Sequence, residues 1–439
     1  MGSERKDVAD NMKTPESGSK DAANNVTMPG SGYKSVTDLL IILSRVTFTA
    51  VDRQRVEVLC GAVTDWDLFA DLAVRHGVAA LVWRNICDLG FSGYVNVAAG
   101  TAGTAGTAVA AGTARTAGKT LEGAMLKTIA RVTYITSAAS EIIRALEKAG
   151  IRVLMLKGLA LEHSVYGSRG LRQMSDADLL VSHGDARRAR DVIESLGFGS
   201  RPLKSALYRR IILDLGNHLP EMHRGGISVD LHHRLFGARA TGLTEKALSA
   251  PGSVTAAGKT CYVLPPRINF LSLVAHLQKH DIKGEFQLRL YCDIHLLLLN
   301  YGDEILTTDL MEEAGTAGIG EEVKEALYLI KILYDFDVPA ELTADVRPES
   351  IDLNRFLLNL EDPGKAAPVS AAEFYRKNLQ AINGIRGKLI FMAGDLFPSV
   401  PFMKKRYGRR SVAGALLFYP HRLGKLWVIL KALKGGKAG

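Results

Sequence analysis

The stretch Arg172-Gln173-Met174-Ser175-Asp176-Ala177-Asp178-Leu179-Leu180-Val181 decides the fold. Two carboxylates one residue apart run straight into an apolar segment that reads as a buried strand. Strand side chains alternate between faces, so Asp176 and Asp178 share one face while Ala177 and Leu179 occupy the other. Two acids on one face repel each other, and nothing about folding asks for that. A divalent cation between them turns the repulsion into binding, because Mg²⁺ takes hard oxygen ligands. Arg172 lies just upstream, where it would meet an anionic substrate as a phosphate ligand, with a structural salt bridge as the rival reading. The pairing points to metal-assisted phosphoryl chemistry.

Upstream, Ile151–Leu156 reads as a short apolar strand and Leu159–Tyr166 as a helix, with Lys157-Gly158 at the junction. Glycine lets backbone come close to a ligand, a helix N-terminus offers free N–H groups to phosphate, and Lys157 adds positive charge. Downstream, Asp185–Leu196 reads as an amphipathic helix. Asn217–Met222 and Ile227–His232 flank His223-Arg224-Gly225-Gly226, a hairpin signal that puts Asp230 between Val229 and Leu231 on the second arm. Three carboxylates on neighbouring strands would hold two Mg²⁺ ions ~3.5–4 Å apart. His232 faces the same way as Asp230, as a substrate contact or as an ordinary strand histidine. Each piece alone is weak; their order along the chain is far more specific.

The 439 residues have room for two or three domains. Composition is that of a globular protein. Cys60, Cys87, Cys261 and Cys292 lie far apart with no ligand spacing, so reduced thiols in a cytoplasmic protein are expected. No secretory signal or membrane-spanning run is visible. The net charge of +9 is concentrated in ten basic residues between Lys404 and Gly439, a segment with no acid; subtracting those ten leaves the rest at about −1. That balance argues against a broad nucleic-acid surface, and makes DNA an unlikely partner.

The chain divides into a disordered N-terminus (1–34), a helical region (35–95), a low-complexity Thr/Ala/Gly insert (96–120), a sheet-containing core (121–260), a helical domain (261–345) and a helix-rich C-terminal region with a basic tail (346–439). The class is α+β, a small mixed sheet with flanking helices plus N- and C-terminal helical regions. In the tail, Leu423, Leu426, Trp427, Leu430 and Leu433 fall at helical spacing among lysines. This suits a peripheral contact with the inner face of a membrane, and equally a helix packed on the body.

In Leu156-Lys157-Gly158, Tyr166-Gly167, Leu171-Arg172, Ser175 to Val181 and Val229-Asp230-Leu231-His232, the chain resembles the polymerase-beta-type nucleotidyltransferase superfamily. Within it, the chain is similar to a bacterial family of uncharacterised nucleotidyltransferases associated with polysaccharide biosynthesis. The likeness extends through Asp65-Trp66, Arg75-His76-Gly77-Val78, His276 to His280, Arg289, Asp293, Phe397-Pro398-Ser399 and Arg406-Tyr407. It implies that residues 121–260 form a nucleotidyltransferase core, in which Asp176 and Asp178 bind both metals and Asp230 completes the nucleophile-side site. Lys157-Gly158 would stand where the superfamily has a Gly-Ser phosphate turn. Gly167-Ser168-Arg169-Gly170 mimics that motif but follows a helix, leaving Ser168 a secondary phosphate contact. His276 and His280 share a helix face, and with Asp293 are candidates to line the cleft, although a structural role for all three is the favoured reading.

The expected activity is Mg²⁺-dependent transfer of a nucleotidyl group from a nucleoside triphosphate to an acceptor hydroxyl, with Mn²⁺ as an alternative metal. Two other readings stand beside it: a catalytically silent scaffold, and an antitoxin-like enzyme that nucleotidylates a partner protein.

Overall fold

The computed structural model describes residues 31–96, 108–205, 207, 216–237, 240–344, 346, 353–362, 370–382, 384–422 and 424–434. At its centre is a sheet of seven strands: β1 (Val153–Met155), β2 (Asp176–Val181), β3 (Gly199–Ser200), β4 (Met222–Arg224), β5 (Ile227–His232), β6 (Gly252–Ala256) and β7 (Lys259–Val263). Their order is β3-β4-β5-β2-β1-β7-β6. β2 pairs parallel with β5 and antiparallel with β1, which pairs parallel with β7, so the sheet is mixed. The class is the α+β arrangement read from sequence.

Two-residue alternation divides the sheet between two cores. On one face, Val153, Met155, Ala177, Leu179, Val181, Val229 and Leu231 pack with Ile135, Ile142 and Leu146 of helix Ala108–Lys148 and Ile193 of helix Ala186–Ser195. On the other face, Leu154 and Leu180 join a core shared with helices Pro266–Lys283, Leu288–Ile305 and Gly320–Tyr334. Leu39, Phe69 and Trp83 from the N-terminal helices belong to that same core, so the regions read as 35–95 and 261–345 pack as one body of helices. Asp176, Asp178, Asp230 and His232 have the parity of Leu180, and therefore point toward the helices.

Several local expectations shift. The strand read over Ile151–Leu156 is limited to Val153–Met155, and the first hairpin arm shifts from Asn217–Met222 to Met222–Arg224, taking His223 and Arg224 out of the expected turn. Residue His218 contributes only an isolated bridge to His232. The hairpin β6–β7 was not read from sequence at all, although Ala257 and Gly258 between its strands both have positive φ (48° and 73°), as a tight hairpin turn requires. Residues 1–30 of the expected disordered terminus and 97–107 of the expected insert lie outside the described residues. The long helix begins at Ala108, within the stretch read as insert.

In the C-terminal region, Tyr375, Leu379 and Ile429 form a small separate cluster joining helices Ala371–Ala381 and Gly424–Lys434. Ile429 is buried, while Leu426, Trp427 and Leu430 are exposed, Trp427 at 62%. Leu423 and the side chain of Leu433 lie outside the described residues. Among the described residues, no helix is long and apolar enough to cross a membrane.

Candidate active site

The parallel β2–β5 pairing sets Asp178 directly opposite Asp230, with Asp176 two residues earlier on the same face of β2. Oxygen and nitrogen atoms of Asp178, Asp230 and His232 all lie within 4.8 Å of one another. The expected trio was Asp176, Asp178 and Asp230. The tight group takes His232 in place of Asp176, whose carboxylate accepts from the Ser175 hydroxyl at 2.9 Å.

Asp178 is the hub, only 5% exposed. Its Oδ1 accepts from Lys157 Nζ at 2.5 Å and lies 2.9 Å from His232 Nε2. Burial works to raise the carboxyl's pKa, but the Lys157 charge and the His232 bond hold it well below the usual carboxylate range. Its two acidic neighbours go the other way: burial and then the Asp178 charge push both Asp176 and Asp230 up. One carboxylate fixed as an anion thus makes ionisation of the other two costly, the electrostatic signature of a site that gains from a cation. The donor set fits Mg²⁺ or Mn²⁺ through the carboxylate oxygens. His232, buried and pushed down to about 4, is neutral near pH 7 and holds Asp178 in orientation.

Lys157 enters from the end of β1. Leu156 N–H donates to the Asp178 carbonyl at 3.0 Å, and helix Lys157–Ser164 starts immediately after. Lys157 itself has φ 47°, a left-handed conformation uncommon for a side-chain-bearing residue. The strand–turn–helix expected at Lys157-Gly158 is present. Gly158, however, does not open a cradle for phosphate. A Cβ there would collide with Arg172 Nη1 and come within 3.2 Å of Met174 Cβ, so the missing side chain makes room for the Arg172 guanidinium.

Arg172 is a correction to the phosphate-ligand expectation. The side chain is buried, with Nη2 2.6 Å and Nε 3.3 Å from the Asp293 carboxylate, and Nη1 donating to the Gln173 carbonyl. Tyr166 also donates to Asp293, at 2.9 Å. Glu162, fully buried, accepts from the backbone N–H groups of Gly170 (2.5 Å) and Arg172 (3.0 Å). Arg172 therefore braces the turn behind Lys157 against helix Leu288–Ile305.

Beside the acids, a cavity of about 670 Å³ is lined by Lys157, His218, His232, His276 and Lys279, among others. The helical body thus closes over the sheet, with His276 on the cavity wall. Burial, and then the Lys157 charge, push His276 down to about 2. Lys279 was not singled out from sequence. It also lines the cavity, and its pKa is lowered by burial and then by Lys157. Its position three residues after His276 was the available signal. His218, also missed, lies beside His232 with ring centroids 5.4 Å apart and planes tilted by 52°.

Two expected residues lie elsewhere. His280 turns to Glu285 (Nδ1–Oε2 2.9 Å) and does not line this cavity. Ser168 lines a different cleft, against helix Ala108–Lys148, with its hydroxyl 2.8 Å from His163 Nδ1.

A mixed sheet carrying opposed acids on adjacent strands, next to a lysine turn and under a helical cover, is an arrangement suited to nucleotidyl transfer. Residues 62–335 match the uncharacterised nucleotidyltransferase family, and the chain belongs to that family. It is a nucleotidyltransferase, an enzyme class that transfers nucleotide from a nucleoside triphosphate to an acceptor. Among solved structures, the chain is similar to the antibiotic-resistance factor ANT(2'')-Ia, with 11% identity over 45% of this chain and 96% of that one and a TM-score of 0.30. No curated protein matches the chain.

Proposed function

We propose that the protein moves a nucleoside monophosphate from a nucleoside triphosphate to an acceptor hydroxyl, with Mg²⁺ as cofactor and Asp176, Asp178 and Asp230 as the acidic ligands. The observation that carries this reading is the opposition of Asp178 and Asp230 across two parallel strands, beside Lys157. A bound Mg²⁺ would supply charge neutralisation of the triphosphate and of the developing transition-state charge. The acceptor oxygen forms a bond to the α-phosphorus, the bond from that phosphorus to the β-phosphate oxygen breaks, and pyrophosphate leaves.

Asp230, opposite Asp178 on the neighbouring strand, receives the proton of the acceptor hydroxyl. Lys157 and Lys279, on the cavity wall, bind the triphosphate. His232 orients Asp178. Arg172, through Asp293, keeps the Lys157 turn in place. Positioning of triphosphate and acceptor supplies much of the acceleration.

Sugar hydroxyls, as in polysaccharide assembly, are the first acceptors to test. The experiment follows radiolabel from α-labelled nucleoside triphosphates into sugar, lipid-linked and protein acceptors. Labelling by the wild type and its loss in Asp178→Asn support the reading; equal labelling by both removes this site from the reaction. Label appearing only in protein would instead favour a partner-modifying enzyme.

A further inference from the structure

We propose that Lys157 is a resident cation that keeps free divalent ions off Asp178 and withdraws only when a triphosphate offers its ammonium a better partner. The inference rests on the acidic site proposed above, and adds an order to its filling: metal and nucleotide enter together.

The geometry supports this order. Asp178 Oδ1 already meets Lys157 Nζ at 2.5 Å and His232 Nε2 at 2.9 Å. A divalent ion ligated by that oxygen would stand within a few ångströms of the ammonium, and two cations that close in a buried site repel strongly. Lys157 and His232 line the open cavity, while Asp178 lies behind them at 5% exposure. An ion arriving from the cavity therefore meets a positive charge before it meets the acid.

The base of Lys157 is fixed, while its tip is held by the bond to Asp178. The backbone is pinned by the Leu156 N–H bond to the Asp178 carbonyl and by the left-handed start of the helix. The four-carbon stem can rotate from Asp178 into the cavity, where Lys279 already supplies a second positive group. A triphosphate there would draw both ammonium groups and vacate Asp178 Oδ1 as its own metal arrives.

Lys157 thus acts as a positioning residue for the metal, and the test reads metal affinity. Mn²⁺ is titrated into the full-length protein by electron paramagnetic resonance, with and without an α,β-methylene nucleoside triphosphate. Wild type should bind Mn²⁺ weakly alone and at least tenfold more tightly with the analogue. Lys157→Met should bind Mn²⁺ at least tenfold more tightly than wild type without nucleotide, and gain little from the analogue. Lys157→Arg, which keeps the charge, should resemble wild type and controls for folding. Nucleotide-free affinity in Lys157→Met equal to or weaker than wild type overturns the inference, even if the analogue still recruits Mn²⁺ to wild type. Absence of Mn²⁺ from every form, with the analogue present, would remove the acidic metal site itself and this inference with it.

Discussion

Asp178 and Asp230 face each other across adjacent parallel strands, and among the described residues Asp178 alone of the two is bonded to an ammonium, that of Lys157. The asymmetry separates the two acids: Lys157 and His232 hold the Asp178 carboxyl down against burial, while burial and the Asp178 charge push Asp230 up. Asp178→Asn and Asp230→Asn should each lower nucleotidyl transfer by at least about a hundredfold, in line with the loss of electrostatic or general-base contributions. Circular dichroism should show both variants folded. Transfer within a fewfold of wild type in either variant would contradict the assignment.

The Arg172–Asp293 pair should matter for stability as much as for activity. Both side chains are buried, and removing one partner strands the other's charge, at a cost of about 3–5 kcal/mol. Urea unfolding of Asp293→Ala should show a loss of that order. Tyr166→Phe, which removes one neutral donor to Asp293, should cost about 1 kcal/mol. Gly158→Ala should also destabilise the fold, by forcing the Arg172 guanidinium aside. Unchanged stability in Asp293→Ala would show that the pair does not brace the site.

Much of this arrangement was legible along the chain. Asp176–Val181 and Ile227–His232 form strands as read, because their alternation is local and survives tertiary packing. The Lys157 turn was visible for the same reason. The partnership of Arg172 with Asp293, 121 positions away, was not, because an isolated arginine looks the same whether it awaits a phosphate or a buried acid. The replacement of Asp176 by His232 in the tight cluster depends on side-chain directions that spacing alone does not set. Hairpin β6–β7 escaped because Ser253-Val254-Thr255 is short and half polar, and its pairing with β1 lies about a hundred residues from that strand in sequence.

Buried neutral histidines should make the protein acid-sensitive. His76 accepts from the Leu288 N–H at Nδ1 and meets the Leu360 carbonyl at 2.6 Å through Nε2, and burial lowers its pKa to about 4. His295 is lowered to about 3 by burial. An unfolded histidine takes its proton near 6.5, so between that pH and the folded value the unfolded chain binds more protons. Stability from these groups is complete above about pH 6.5 and is lost as pH falls toward 4, by on the order of 1 kcal/mol per pH unit per histidine. Urea midpoints measured from pH 7.5 to 4.5 should fall accordingly, and fall less steeply in His76→Gln. A flat wild-type profile would contradict this.

Leu426, Trp427 and Leu430 are exposed on the basic C-terminal helix, where the sequence reading allowed either a membrane contact or packing on the body. Lys431 Nζ sits 3.9 Å from the centre of the Trp427 ring, so charge and apolar surface are adjacent. The protein should co-sediment with vesicles rich in phosphatidylglycerol, blue-shift its tryptophan fluorescence, and lose both effects in Trp427→Ser/Leu430→Ser. Equal binding to neutral vesicles, or binding untouched by the double substitution, would assign the helix to packing alone.

The most direct test of the central claim is anomalous diffraction from crystals grown with Mn²⁺ and an α,β-methylene nucleoside triphosphate. The account predicts an anomalous peak ligated by Asp178 and Asp230, with the triphosphate against Lys157 and Lys279. A peak at other residues, or a nucleotide bound away from β2 and β5, would contradict it.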